Sequence, residues 1–256
     1  MDSLRILPPT DPRTELVLAT TPCPYARLEA LAAVTVNSGS DLFQAALAMR
    51  RTVTHGAAPT QWIAFISSTL HGSDVSTLAR LLHAILRLAC TTDREVERLY
   101  QGIHRADWRL FVGPTACFAL TLSDIYHEHD PRFLPGHTAV LIQPESLFAR
   151  HGITSGEHRD IVSQLVAKKF AAAGRPYEVS AHATGLPKAL RFLRDETGAP
   201  VSWWEASFEP WQCLISSHVD GRKTQATPAP KRAVEVAGSQ IRSYQELPPD
   251  AFNDSR

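Results

Sequence analysis

Histidines gather in one short polar segment of this 256-residue chain. Residues 123–137 read SDIYHEHDPRFLPGH, and three of the eleven histidines lie in it: His127, His129 and His137. A neutral imidazole offers a nitrogen lone pair that suits iron, copper or zinc. In an extended segment His127 and His129 point the same way, as in the HxH pairs that chelate non-haem metals, whereas haem iron needs only one of them. The spacing predicts a metal or haem site, and its alternative is a solvated polar loop.

The common catalytic motifs do not occur in the sequence. It has no GxGxxG after a strand, no P-loop, no HExxH and no GxSxG. Dinucleotide dehydrogenases, P-loop NTPases, zincins and α/β-hydrolases are therefore disfavoured. The four cysteines lie far apart without a CxxC pair, which predicts reduced thiols rather than a zinc, redox or iron–sulfur site.

Charge and hydropathy exclude other classes of partner. Twenty-six basic residues balance twenty-six acidic ones, so the chain has no excess of positive charge with which to bind nucleic acid or an anionic membrane. No apolar stretch approaches the roughly 20 residues that cross a bilayer. The first residues lack the basic flank and apolar core of a secretory signal, so we expect a cytoplasmic protein.

The histidine-rich segment should lie between strands. Residues 108–112 and 116–122 alternate like β-strands around Gly113-Pro114 and predict a hairpin. Residues 138–143 predict a third strand, which Pro144 ends because proline cannot donate to a ladder. Strands at both ends of a loop can fix the direction of its side chains.

Other elements follow from periodicity and caps. Residues 61–66 alternate aromatic and β-branched residues and predict a buried strand. Ser73 or Asp74 can cap an apolar helical stripe, and Thr92 with Glu95 forms a capping box. The helices are predicted at 27–33, 42–48, 75–86, 92–103, 155–172 (closed by Gly174) and 187–195.

These elements predict one α+β domain with a small, mostly antiparallel sheet flanked by helices. Residues 1–21 are rich in proline and threonine without a helical period, which predicts an extended N-terminal arm. The folded, ligand-binding body is expected at residues 22–219. Residues 220–256 contain few large apolar groups and are expected to form a disordered C-terminal tail.

Four segments, in this order, resemble the haem-dependent N-oxygenases, which are related to the YqcI/YcgG group of bacterial proteins. They are TPCPYAR at 21–27, HEHDPRF at 127–133, VLIQPESLF at 140–148 and GAPVSWWE at 198–205. The likeness is strongest to the branch of Nω-hydroxy-L-arginine synthases of D-cycloserine biosynthesis. It covers about residues 22–204. Each motif alone is loose, and their order carries the weight.

The resemblance implies a b-type haem whose iron is held by a histidine, with O2 as oxidant. The family pattern has a Tyr shortly before a His-Pro-Arg segment and a strand ending in Gln-Pro, which Tyr126, Pro131 and Arg132 match. Asp130 separates His129 from Pro131, so the ligand is expected to be His129 or, with a shifted loop, His127. His129 is preferred, and Arg132 would pair with a haem propionate.

The resemblance also implies that an amine or guanidine nitrogen is oxidised in bacterial specialised metabolism. For L-arginine, a carboxylate must hold the guanidinium, and Glu205, Glu209 and Glu128 are candidates by type. The chain has no flavin or nicotinamide fingerprint, so a separate reductase is expected to supply electrons. Three alternatives stay open: oxidation of the L-lysine ε-amine, a non-haem metal enzyme using His127, His129 and His137 or an acidic neighbour, and a non-catalytic haem or small-ligand binding protein.

Overall fold

The computed structural model describes most of the first 206 residues. The described ranges are 5–8, 10–21, 31–55, 60–71, 74–150, 156–176 and 186–206. The tail predicted at 220–256 lies outside them, as does all of the TPCPYAR segment except Thr21. Among the described residues, no helix is long and apolar enough to cross a bilayer.

One six-stranded sheet organises the described chain, in the spatial order β1-β2-β3-β6-β5-β4. Only the neighbours β2 and β3 are parallel, and the other four pairings are antiparallel. The predicted α+β class with a mostly antiparallel sheet is confirmed. The strands are β1 Arg5–Leu7, β2 Leu31–Val36, β3 Gln61–Ile66, β4 Leu110–Val112, β5 Thr115–Ser123 and β6 Thr138–Pro144.

Seven α-helices and two 3₁₀ turns surround this sheet in the described ranges. The helices are α1 Pro12–Thr20, α2 Gly39–His55, α3 Ser68–His71, α4 Val75–Leu88, α5 Asp93–Tyr100, α6 Glu145–Arg150 and α7 Gly156–Ala172. The 3₁₀ turns are Lys188–Arg191 and Trp203–Glu205. Helix α2 connects the two parallel strands, because parallel neighbours require a crossover rather than a hairpin.

The first face of the sheet packs against α2 and α4. Trp62 of β3, Met49 of α2 and Leu82 of α4 are fully buried in the larger hydrophobic cluster. The apolar stripe of α4 predicted this burial, since one helical face repeats every 3.6 residues. Asp74 caps α4 by accepting from the Thr77 backbone N–H at 2.8 Å, as expected.

The second face carries a smaller hydrophobic cluster. Alternation along the strands turns Ile63 and Phe65 of β3 to this side, where they pack with Ala139 of β6. Val17 of α1 and Leu134 of the segment 123–137 also belong to the cluster. Helix α1 and this segment therefore both lie against the second face.

Several sequence predictions are confirmed in detail. The strand Gln61–Ile66 has the predicted bounds, and the third predicted strand begins at Thr138 and ends at Pro144. The hairpin between β4 and β5 turns at Gly113, whose φ is 58°. A Cβ on Gly113 would lie 3.0 Å from Cγ2 of Thr54, so both the backbone conformation and the packing require glycine here.

The prediction of an extended arm at residues 1–21 is wrong. Residues 5–7 form the edge strand β1, in which Ile6 lies opposite Val34 of β2. Helix α1 follows because Asp11 caps it by accepting from the Arg13 N–H at 3.0 Å, and Pro12 occupies its first turn. These residues belong to the body rather than to an arm before it.

Two predicted helices also need correction. Residues 31–33 are strand, because their pairing with β3 outweighs the helix propensity of leucine and alanine. The helix predicted at 187–195 is only a single 3₁₀ turn, after which Arg194 forms an isolated bridge with Pro200. Residues 27–30, the first part of the helix predicted at 27–33, lie outside the described residues.

A fork of two charge-assisted hydrogen bonds joins α2 to α5. The Arg50 guanidinium donates to the two carboxylate oxygens of Glu95 at 2.8 and 2.9 Å, and the Thr91 backbone N–H donates to Glu95 at 2.8 Å. These bonds to Arg50 lower the pKa of Glu95 to about 2. The predicted capping box is formed on one side: Thr92 accepts from the Glu95 N–H, while the Glu95 carboxylate binds Arg50 and Thr91.

Glu95→Gln should lower the free energy of unfolding by about 1–3 kcal/mol at pH 7, because charged hydrogen bonds are lost. The pKa of Glu95 is depressed in the folded state, so its contribution is full above its ordinary value of 4.5 and is lost as pH falls towards 2. Urea unfolding at pH 7 and pH 3 measures both effects. Glu97→Gln, on the exposed side of the same helix, is the control. A constant gap between wild type and Glu95→Gln over this pH range would contradict the account.

Candidate functional site

The histidine-rich segment 123–137 is a loop held at its base. The Leu134 N–H donates to the Ser123 carbonyl at 3.1 Å, and the Ser123 N–H donates to the Arg132 carbonyl at 3.0 Å. On the other side, the Asp124 N–H donates to the His137 carbonyl at 3.1 Å. The Asp124 bond therefore extends the antiparallel ladder of β5 and β6 by one step, and the loop turns back to form an isolated parallel bridge between Ser123 and Phe133.

Buried side chains also fix the base of the loop. The Ser123 and Thr138 hydroxyls lie 2.7 Å apart where β5 ends and β6 begins. The hydroxyl of Tyr126, which is 2% exposed, donates to the Arg194 carbonyl at 3.0 Å. Burial raises the pKa of Tyr126 above its ordinary value, so the phenol stays protonated and remains a donor. Tyr126 therefore anchors the loop to the chain at residue 194.

His127 and His129 lie side by side at the tip of the loop. Their ring centroids are 5.1 Å apart, and the His129 N–H donates to His127 Nδ1 at 3.3 Å. The His129 side chain is 66% exposed, and its Nε2 lies 3.7 Å from the Glu128 carboxylate. The structure thus brings the predicted HxH pair together. Among the described residues, no group of three or more His, Cys, Asp or Glu side chains is placed to hold a metal ion.

Arg132 is buried beneath the loop. Its residue is 9% exposed, and its Nη2 donates to the Arg191 carbonyl at 2.8 Å. The Arg132 backbone N–H donates to the Asp130 carboxylate at 2.7 Å. The guanidinium therefore ties the loop to the 3₁₀ turn at 188–191.

His137 occupies a different environment from the other two loop histidines. It is half-buried where the loop enters β6, and its ring meets Phe65 edge-on, with centroids 6.2 Å apart and planes at 74°. None of the chain's hydrogen bonds in the described ranges involves its ring nitrogens. Sequence reasoning named His137 only within a three-histidine metal set, because its neighbour Phe65 is far away in the chain.

The carboxylates considered for an arginine guanidinium belong to separate segments of the chain. Glu128 is exposed at the loop tip, and Glu205 is exposed on the 3₁₀ turn Trp203–Glu205. Glu209 lies outside the described residues. Trp203 is fully buried and donates to the Ala189 carbonyl at 2.9 Å, so this tryptophan belongs to the core.

Sequence reasoning missed one buried histidine, His83 of α4. Its Nδ1 must carry the proton, because it lies 2.9 Å from the Ala206 carbonyl, which can only accept. Its Nε2 therefore accepts from the Tyr100 hydroxyl at 2.6 Å. Burial lowers the pKa of His83, which keeps the ring neutral. Both nitrogens are used, so His83 ties α4 to α5 and to the 3₁₀ turn. Its only sequence signal is a polar residue within an apolar helix.

The loop meets one of the three requirements of a haem group. Haem b requires one imidazole lone pair, apolar surface for the macrocycle, and cations or water for two propionates. The loop carries three imidazoles on a fixed base, whereas its Leu134 is buried and already packed within the second-face cluster. Arg132 fits less well than the sequence suggests, because its guanidinium is buried and already engaged.

No protein-family model, curated protein or solved structure matches this chain.

The geometry gives Arg132 a structural role that can be measured without any cofactor. We expect Arg132→Gln to lower the free energy of unfolding by about 1–3 kcal/mol, because a buried charged donor to a carbonyl is lost. Arg105→Gln is the matched control, since Arg105 pairs with Asp107 on the surface with its side chain 71% exposed; this change should stay within about 0.5 kcal/mol. Urea titration of the haem-free proteins gives both values, and equal stabilities of the two variants would rule out the structural role.

Proposed function

We propose that the protein is a haem-dependent N-oxygenase that hydroxylates the guanidino nitrogen of L-arginine to Nω-hydroxy-L-arginine. In this reaction one atom of O2 enters an N–H bond and the other leaves as water, with two electrons and two protons supplied from outside. The order of four motifs along residues 21–205 supports this proposal, together with the fixed histidine loop between β5 and β6.

The observation that carries the proposal is the position of the HEHDPRF motif. The motif lies on a loop whose base is fixed by backbone bonds and by the hydroxyls of Ser123 and Thr138. The following strand ends at Gln143-Pro144, as in the family pattern. Accessible imidazoles on a rigid loop suit a cofactor that needs a single protein ligand. When bound, the haem would supply the reduction of O2 and the transfer of one oxygen atom to the substrate nitrogen.

The residues of the chain would hold the haem, orient the substrate and exclude water. A guanidinium is recognised by a carboxylate that accepts two parallel N–H bonds. Exposed Glu128 and Glu205 carry accessible carboxylates, and Glu209 was named for the same role from the sequence. Hydroxylation of arginine places the protein in bacterial specialised metabolism, such as the biosynthesis of an antibiotic like D-cycloserine, in the cytoplasm.

The electrons would come from a separate reductase, because the sequence has no flavin or nicotinamide motif and no cysteine spacing for an iron–sulfur cluster. The substrate alternative within the same chemistry is the ε-amine of L-lysine. The lysine side chain ends in a compact ammonium group, whereas the arginine side chain ends in a planar guanidinium. The two amino acids therefore require different carboxylate geometry.

A second candidate is a non-haem metal enzyme. The adjacency of the His127 and His129 rings, 5.1 Å apart, favours it, since such a pair can chelate one ion. A catalytic site of this kind usually needs a third protein donor. This requirement makes it the weaker of the two proposals.

The haem proposal predicts a characteristic spectrum. Protein expressed with a haem precursor should show a Soret band that shifts when dithionite is added. With a reductant and O2, it should convert L-arginine to Nω-hydroxy-L-arginine, detected by mass spectrometry as a gain of one oxygen. L-lysine in parallel reactions distinguishes the two substrates.

Each outcome has a separate meaning. Haem-loaded protein that hydroxylates neither amino acid would overturn the enzymatic proposal and leave a haem-binding protein. Protein without a Soret band that contains iron, copper or zinc by elemental analysis would overturn the haem proposal in favour of the His127/His129 metal site.

A further inference from the structure

We infer that the exposed tip of the loop 123–137 binds a zinc ion that joins two copies of this chain. His127 and His129 of each copy supply the four imidazole ligands of the ion. This inference does not rest on the proposed function. It also differs from the non-haem metal enzyme, because an ion with four imidazole ligands is structural and keeps no open position for a substrate.

The spacing of the two rings matches a shared tetrahedral ion. A zinc–nitrogen bond of about 2.0–2.1 Å places the ion about 3.2 Å from the centroid of each imidazole ring. Two such rings have centroids about 5.2 Å apart at the tetrahedral angle and about 4.5 Å apart at a right angle. The centroids of His127 and His129 are 5.1 Å apart. The pair therefore suits tetrahedral zinc better than an octahedral or square-planar ion.

A hydrogen-bonded turn fixes the backbone beneath this pair. The Asp130 N–H donates to the His127 carbonyl at 2.7 Å, and the Asp130 carboxylate accepts from the Arg132 N–H at 2.7 Å. The bond from the His129 N–H to His127 Nδ1 is longer, at 3.3 Å, and is correspondingly weak. Both histidines are exposed. Each ring can therefore rotate to point a nitrogen lone pair at an ion while the backbone stays in place.

One chain supplies only part of the ligand set at this tip. In the part of the chain that the structure describes, no third His, Cys, Asp or Glu side chain completes a group that could hold a metal ion. Structural zinc sites are almost always four-coordinate, so two more ligands must come from outside. The tip is accessible to a partner, since the side chains of His129 and Glu128 are 66% and 70% exposed. A second copy related by a two-fold axis brings the same pair and completes the tetrahedron.

Charge makes this association depend on the ion. The tip carries the carboxylates of Glu128 and Asp130, whereas the guanidinium of Arg132 is buried beneath the loop. Two such tips that approach without a metal bring like charges together, which is unfavourable. A zinc ion between neutral imidazoles places two positive charges at the same point. The two copies therefore associate when the ion is bound and separate when it is removed.

The experiment measures the mass of the full-length protein by analytical ultracentrifugation, after treatment with EDTA and then during titration with ZnCl2. Zinc should double the mass of the EDTA-treated species with one ion bound per two chains, and EDTA should reverse the change. Co2+ in place of Zn2+ should give the intense visible bands of a tetrahedral ion. His127→Ala and His129→Ala should each weaken the zinc-dependent association at least about tenfold, because loss of even an outer partner of a metal ligand costs about 10–100-fold in affinity.

Two control variants separate this site from general zinc binding by histidines. His104→Ala removes an exposed histidine outside the loop, and Glu128→Gln removes the carboxylate beside the pair. Both should keep the zinc-dependent doubling of mass. Circular dichroism checks that every variant is folded, as expected for changes at exposed positions.

Three results would overturn the inference: doubling with zinc in the His127→Ala/His129→Ala double variant, one ion bound per chain without a change of mass, or no binding of zinc by the wild-type protein. Haem content is recorded for each sample, because zinc and haem would compete for the His129 imidazole. The Soret band tests the proposed function separately, so the failure of either proposal can be recognised by itself.

Discussion

The antiparallel ladder between β5 and β6 determines the geometry of the histidine-rich loop 123–137. It runs in register from Cys117 opposite Pro144 to Ser123 opposite Thr138. The ladder is central to the sheet, because β6 also pairs with β3 on its other side. The loop 123–137 is therefore the continuation of the best-supported part of the fold. A loop fixed in this way keeps its side chains in defined directions without ordering costs when a ligand arrives.

Different residues of the loop contact different parts of the structure. Tyr126 and Arg132 bind carbonyls at Arg194 and Arg191, in the segment that also carries Phe192 of the first-face cluster. Leu134 packs in the second-face cluster, and His137 touches Phe65 there. The arginine of the HDPR motif thus lies under the loop, while the last histidine lies beside the buried second-face cluster. This separation is the reason that residues adjacent in the sequence have different physical roles.

Local signals in the sequence identified most of the sheet and the principal helices. Strand β3 and helix α4 were predictable because alternation, helical period and the Asp74 cap all agree. Strand β1 was missed because three residues among prolines carry no periodic pattern, and its only reason to be a strand is its pairing with β2. The HxH pair was visible in the sequence, but its exposure was not. The contacts of His137 with Phe65 and of Arg132 with Arg191 join distant parts of the chain, so spacing alone could not reveal them.

The pairing of β3 with β6 has a consequence for how the chain reaches this fold. Trp62 lies opposite Ile142, so the centre of the sheet joins segments separated by α4, α5 and the whole hairpin of β4 and β5. Contacts between distant segments must overcome the loop-closure entropy before they contribute stability, and they slow folding. During synthesis, β2, α2 and β3 can form early, but β3 keeps an open edge until β6 leaves the ribosome. The base of the histidine loop is completed at that same step, so the loop takes its fixed geometry only in chains whose sheet has already closed.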